Sequence, residues 1–285
     1  MADISAKDVA ALRKATGAGM MDCKQALEET DGDVEAAKLV LREKGLAGAA
    51  KRAGREADQG AVDVRVTGTV AVVAELNCET DFVAKGDVFK DALDNIGALV
   101  EAKGTDDLEH QKLGGETVDD FVKSLSGRLG EKIQLGRIVR FETNDGLLDG
   151  YKHVQNERGT IGVIVELGGV DASSAQTRAV AHDIALHIAN KSTAPRYVSR
   201  DDFPADVVET ERAFHEKQTA EEDKPEAARP KIVEGKMTGF FKGQGGALLD
   251  QGFVKDNKQT IAALLGTLGK DATVRRFARV EIGAD

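Results

Sequence analysis

Apolar positions recur at helical spacing through the first 45 residues, then give way to short runs of another kind. Val9 and Leu12 fall on one helical face, and Ser5 with Asp8 three positions later forms an S-x-x-[DE] capping box that opens that helix. The run Thr16-Gly17-Ala18-Gly19-Met20-Met21 breaks it. Asp22 is placed to cap a second helix through Ala26 and Leu27. Asp31-Gly32-Asp33 starts a third, with Val34, Ala37 and Leu41 on one face and Gly45 as its predicted stop. Residues 46–58, rich in Ala and Gly with Lys51, Arg52 and Arg55, read as a trailing helix or a linker. Three short helices make a minimal bundle, usually a binding module.

Beyond this unit the pattern repeats. GTVAVVAEL at 68–76 matches GTIGVIVEL at 159–167, with five of nine positions identical. Extended segments at 61–67 and 151–157 precede the two copies and predict hairpins around a Thr-Gly and an Arg-Gly turn. A helix is expected after each, at 87–102 and 174–190, where Val88/Val180, Asp91/Asp183 and Ile96/Ile188 match. The first copy continues with a helix near 116–130 and a strand at 137–142. The second ends with a helix near 257–268 and a strand at 276–281. The fold class is therefore α+β: two related ββααβ subdomains, each a three-stranded sheet backed by helices. Between the helices of the second copy lies an insertion, helical over 204–222 and 231–241 and broken by Pro225 and Pro230. The expected units are 1–56 (helical unit and linker), 57–144 (first subdomain), 145–200 with 236–285 (second), and 201–235 (inserted helical hairpin).

Charge changes the picture next. The 285 residues carry 39 basic and 49 acidic groups, a net −10, and aromatics are 4% with no Trp. Phosphate backbones call for Lys and Arg, and unpaired bases call for stacking faces. Direct nucleic-acid binding is thus not expected, nor is adsorption to an anionic membrane. The charge is uneven, with net −5 over residues 200–235 and net +3 over 236–285. No apolar stretch reaches membrane-spanning length and no secretory signal is visible. Two cysteines, Cys23 and Cys78, suit a reducing cytoplasm.

The search for catalytic chemistry finds little. There is no G-x-x-x-x-G-K-[ST] element. Gly17-Ala18-Gly19 and Gly243-Gln244-Gly245-Gly246 lack the third glycine of a dinucleotide fingerprint, and His182 and His187 have the wrong spacing for H-E-x-x-H. Neither cysteine has metal-ligand spacing to another Cys or His. No enzymatic site, metal or cofactor is expected. The repeat itself exposes an odd feature. The second copy continues from its strand as Gly168-Gly169-Val170-Asp171, whereas the first continues as Asn77-Cys78-Glu79-Thr80-Asp81-Phe82-Val83. A shared scaffold does not require that difference. Thr80 or Asp81 could cap the next helix with Phe82 packed down as a staple. Alternatively, the segment is an acidic-aromatic tip pushed into a partner. Met20-Met21 poses the same choice between core filler and adaptable contact surface.

Two stretches resemble family signatures: Thr16-Gly17-Ala18-Gly19-Met20-Met21-Asp22-Cys23-Lys24 with Ala26-Leu27, and Asn77-Cys78-Glu79-Thr80-Asp81-Phe82-Val83-Ala84. In that order and spacing, the chain resembles the bacterial translation elongation factor Ts family over essentially its whole length. Tyr151, His153 and Val233-Glu234-Gly235-Lys236-Met237 are also similar to family motifs. The resemblance implies a ubiquitin-associated-like N-terminal three-helix domain, two related core subdomains and a coiled-coil hairpin. It implies guanine-nucleotide exchange on the GTPase elongation factor Tu, with the hairpin a candidate for self-association. It places Thr80, Asp81, Phe82 and Val83 in the element that disturbs the partner's magnesium site. It assigns Val9, Leu12, Arg13, Met20, Met21, Tyr151, His153 and Met237 to partner binding. The other function on the same fold is a GTPase-binding or chaperone-like module without exchange. One departure is Gln251-Gly252-Phe253-Val254, where family members often carry Q-P-F-V.

Overall fold

A computed structural model describes residues 4–223 and 225–284. It is a mixed protein of helices and several small antiparallel sheets. The chain opens with α1 (Ala6–Thr16), α2 (Met20–Glu29) and α3 (Val34–Arg52). The strands β1 (Gln59–Thr67) and β2 (Val70–Cys78) lead to α4 (Asp81–Lys85) and α5 (Asp87–Lys103). A ribbon of β3 (Lys112–Leu113) and β4 (Glu116–Thr117) precedes α6 (Val118–Leu129) and β5 (Gln134–Glu142). Then come β6 (Leu147–Gln155), β7 (Arg158–Gly168), α7 (Ala175–Ala189) and the paired helices α8 (Ala205–Glu221) and α9 (Arg229–Lys242). A ribbon of β8 (Gly252–Phe253) and β9 (Asp256–Thr260), α10 (Ile261–Gly266) and β10 (Thr273–Glu281) complete it.

The repeated nonapeptides form the central strands of two three-stranded sheets, ordered β1-β2-β5 and β10-β7-β6. Their near-continuous apolar runs follow from burial on both faces. On β2, Val72, Ala74 and Leu76 pack under α5 and α6 with Phe89, Ile96 and Leu125. Ala71 and Val73 point the other way, into a layer shared with Leu148, Ile164 and Val280. On β7, Val163, Val165 and Leu167 pack against Ile184 and Ile188 of α7 and Ile261 of α10. The order is therefore helices, sheet, sheet, helices. Where the repeat has Ala71, its second copy has Gly162, and a Cβ there would sit 2.5 Å from Val62 and 2.6 Å from Val73 side-chain atoms. Glycine lets the sheets close at that point.

The repeat's shared glutamate also has a structural use. Glu75 and Glu166 are both buried, and each lies where its strand's pairing with the third strand slips register. Glu75 accepts the Arg137 backbone N–H at 2.8 Å. Glu166 instead takes the guanidinium groups of Arg275 at 3.1 Å and Arg276 at 2.6 Å. An ionised carboxylate in such a position needs these donors, since a lone buried charge is costly.

Several boundaries differ from the expected ones. The Ser5–Asp8 capping box forms as predicted. Asp22 does not cap α2: Gly19 is the cap and Asp22 stands in the first turn, where its charge suits the positive helix end. Gly45 does not stop α3, which runs on to Arg52. The glycine serves close packing instead: a Cβ on Gly127 of α6 would lie 2.5 Å from Gly45 Cα. The second hairpin turns on Asn156 and Glu157, both at positive φ, rather than on Arg-Gly; that pair of left-handed residues matches the twist of a two-residue hairpin. Residues 257–260 of the expected terminal helix belong instead to strand β9, because Thr260 caps α10 by accepting the Ala263 N–H at 3.1 Å.

Candidate functional site

The segment that distinguishes the first repeat copy lies between the end of β2 and α5. Thr80 is the N-cap of α4, and its hydroxyl accepts the Val83 N–H at 3.4 Å. This single turn fixes which side chains face in. Ala84 is fully buried and Val83 packs on the first core. Phe82 points out, 83% exposed. The capping half of the local reading is thus observed, whereas the staple is not. The Lys85 ammonium lies 5.9 Å from the Phe82 ring centroid. Lys85 also donates to the Asp81 carboxylate at 2.5 Å, one helical turn away. That bond, with further help from the Lys85 charge, holds the Asp81 carboxyl below the usual carboxylate range. Asp81 therefore stays ionised at neutral pH.

The tip is tied to the loop after α6 by two reciprocal carboxylates. Glu131 accepts the backbone N–H groups of Glu79 at 3.1 Å and Thr80 at 2.9 Å, and the Thr80 hydroxyl at 2.5 Å. Glu79 in return accepts the Lys132 N–H at 2.6 Å and the Arg55 guanidinium at 3.1 Å. Lys132 Nζ closes the ring on the Arg55 carbonyl at 2.7 Å. The Cys78 thiol lies beneath, donating to the Thr80 carbonyl at 3.1 Å. Burial pushes it up to about 12, so it is a packed neutral thiol at neutral pH rather than a nucleophile.

The N-terminal candidates separate into two groups. Met20 and Met21, at the start of α2, are 48% and 71% exposed, and Arg13 is exposed on α1. Val9 and Leu12 are buried with Cys23, Ala26, Leu27 and Ala37. The helical spacing that made them conspicuous is that of the unit's own core, so their side chains give no free surface. Met237 is corrected in the same way. It is buried with Phe203, Val233, Phe241 and Ala247 at the base of α9.

Tyr151 and His153 lie on one face of β6, with ring centroids 6.3 Å apart and a Tyr151 hydroxyl to His153 Nδ1 distance of 3.4 Å. His182 of α7 joins them, its ring 5.9 Å from Tyr151 and its Nδ1 3.3 Å from Asp149. His187, one and a half turns on, is wholly buried. Its Nε2 donates to Gln251 Oε1 at 3.0 Å and its Nδ1 accepts the Val254 N–H at 3.2 Å. Gln251 Nε2 donates to the Gly243 and Thr193 carbonyls, so the loop carrying Gly252 is pinned on both sides of that glycine. Among the described residues, no group of three or more His, Cys, Asp or Glu is placed to hold a metal ion. No helix among them is long and apolar enough to cross a membrane.

Sequence reasoning missed Lys85 and Glu131, and took up His182 only to set aside a metal motif. Lys85 was legible as the i+4 partner of Asp81. Glu131 and His182 meet their partners only through the fold.

Comparison with known proteins identifies the family. The family described as Elongation factor TS matches residues 79–284. The chain is 43% identical over 289 residues to elongation factor Ts of Arthrobacter sp. (strain FB24), covering 100% of both chains. It is 45% identical over 290 residues to that of Thermobifida fusca (strain YX), covering 99% of each. Elongation factor Ts of Micrococcus luteus is 44% identical over 288 residues, with 99% of this chain and 100% of the relative covered.

Proposed function

The chain belongs to the elongation factor Ts family, and from that premise we propose that it is a guanine-nucleotide exchange factor for the GTPase elongation factor Tu. An exchange factor forms no covalent bond with its substrate. It binds the nucleotide-free GTPase more tightly than the loaded form, and linkage then weakens nucleotide binding by the same factor. The magnesium that bridges and neutralises the phosphates is the natural target.

The observation that carries this reading is Phe82, a large apolar ring left 83% exposed on a capped turn. We assign it the role of a wedge that displaces the elements holding the partner's magnesium. Asp81, ionised beside Lys85, supplies negative charge at the same place. Thr80 and Val83 shape the element, the first as cap and the second as its anchor in the core. Docking falls to Arg13, Met20 and Met21, whose exposure suits a soft contact surface, and to the Tyr151 and His153 face of β6. Val9 and Leu12 support the first of these surfaces from within, whereas Met237 packs the inserted hairpin. Two related subdomains built on the matched central strands, with the α8–α9 hairpin inserted in the second, hold the contacts apart in a fixed geometry.

The test is direct. Elongation factor Tu loaded with fluorescent GDP is mixed with the full chain and excess unlabelled GDP, and release is followed by fluorescence. Release should accelerate in proportion to added protein at low concentration. A rate equal to the intrinsic one, with the complex nevertheless formed on co-purification, would leave the chain a binding module and overturn the exchange reading.

A further inference from the structure

The loop that carries Thr80 and Phe82 has a bare single-turn helix and would be soft if held by its cap alone. We infer that Glu131 is a positioning residue for exchange, a carboxylate clamp that fixes the backbone from which Phe82 projects. The inference rests on the proposed exchange role of that tip.

Glu131 is well placed for this because its own position is over-determined. Helix α6 ends at Gly130, a left-handed C-cap at φ 76° whose N–H bonds to the Ser126 carbonyl at 3.0 Å. The Ser126 hydroxyl, buried, donates back to the Glu131 carbonyl at 2.6 Å. The carboxylate therefore leaves a rigid helix end and meets three donors from residues 79 and 80. Hydrogen bonds to an ionised acceptor are the stronger kind.

The second repeat copy serves as an internal control. Gln134 pairs with Asn77 in β5–β2, and Thr273 pairs with Gly168 in β10–β7. Counting back from those matched positions, Lys270 follows Gly269 where Glu131 follows Gly130. The loop there closes by backbone approach alone: a Cβ on Gly169 would lie 1.9 Å from the Asp271 carbonyl oxygen. The fold thus makes this junction without a carboxylate. The clamp appears in the copy that bears Thr80 and Phe82.

The clamp is tested with full-length Glu131→Ala, Glu131→Gln, Phe82→Ala and the Glu131→Ala/Phe82→Ala double variant, each titrated into elongation factor Tu carrying fluorescent GDP. Losing one charge-assisted hydrogen bond's worth of positioning corresponds to about tenfold in rate. Glu131→Ala should lower the maximal release rate by about that factor while its half-saturating concentration stays near the parent's and its melting midpoint drops only a few degrees, the cost of three donors left without their acceptor. Glu131→Gln keeps one oxygen for the two backbone N–H groups and meets the Thr80 hydroxyl with its NH₂, but loses the charge, so its rate should fall between. In the Phe82→Ala background, Glu131→Ala should add nothing, because the two act as one unit. A residue serving the fold alone would instead multiply its loss onto that of Phe82→Ala. The clamp is overturned by such multiplication, or by a parental maximal rate in Glu131→Ala while Phe82→Ala is slow. Parental release by Phe82→Ala would overturn the underlying reading of the tip, and the clamp with it.

Discussion

Phe82→Ala separates the fold from the function cleanly, because the ring does almost nothing for the free protein. It is 83% exposed, with the Lys85 ammonium 5.9 Å from its centroid. An exposed cation–π contact is worth at most about 0.5–1 kcal/mol. Removing the ring should therefore cost stability about 0.5 kcal/mol, within the ordinary range for surface positions. Buried in a partner, the same ring is worth about 1.5–3 kcal/mol. If that energy is realised only as the magnesium site is displaced, exchange slows by roughly 10-fold to 150-fold. Stopped-flow release of fluorescent GDP from elongation factor Tu reads the rate, and a thermal melt checks the fold. Phe82→Leu keeps most of the apolar volume and should retain a larger share of the rate. Parental exchange in a well-folded Phe82→Ala protein would refute the wedge, since no other side chain of α4 projects so far into solvent.

Three further outcomes follow from the geometry. His187 is neutral in its buried setting, with burial holding its pKa below the ordinary imidazole value and Nδ1 committed to the Val254 N–H. The unfolded chain takes up this proton near pH 6.5 while the folded one resists, so stability falls as pH drops below about 6.5, by up to about 1.4 kcal/mol per pH unit from this group; denaturant melts of parent and His187→Gln across pH 5–7 should show a shallower slope in the variant. Helical Gly239 has nothing within 4 Å of an added Cβ, whereas one on Gly127 meets Gly45 Cα at 2.5 Å. Gly239→Ala should then raise stability by up to about 1 kcal/mol, and Gly127→Ala should lower it, overpacking at about 1–3 kcal/mol outweighing the same helix gain; both are read by thermal melting. Replacing exposed Met20 and Met21 with Ser should leave the melt unchanged and weaken the complex with elongation factor Tu at least severalfold by titration calorimetry.

What the sequence disclosed, and what it withheld, divides along the range of the interactions. The central strands and the repeat were readable because β2 and β7 each bury both faces, leaving an unbroken apolar run that no loop would carry. Helix caps such as Ser5 and Thr80 were readable because they act within three residues. Gly45 misled for the opposite reason: its role is set by Gly127, in another helix, and a glycine under such pressure can sit mid-helix despite its usual preference. Val9 and Leu12 were conspicuous by the periodicity that puts them inside, so the signal that found them also argued against their touching a partner. Phe82 and Val83 show the limit most sharply. Adjacent apolar residues in a five-residue turn give no periodicity to say which faces in, and the orientation is decided by the Thr80 cap and by Val83 meeting the first core. Comparing the two repeat copies overcomes part of that limit. Where both keep a residue, as at Glu75 and Glu166, the scaffold needs it. Where only the first copy departs, as at Thr80, Phe82 and Glu131 against Lys270, the departing residues converge on one loop. That convergence is long-range and was hidden in the linear sequence, yet it is what a function grafted onto a duplicated frame requires: one half kept plain, the other carrying both the projecting side chain and the carboxylate that holds its base.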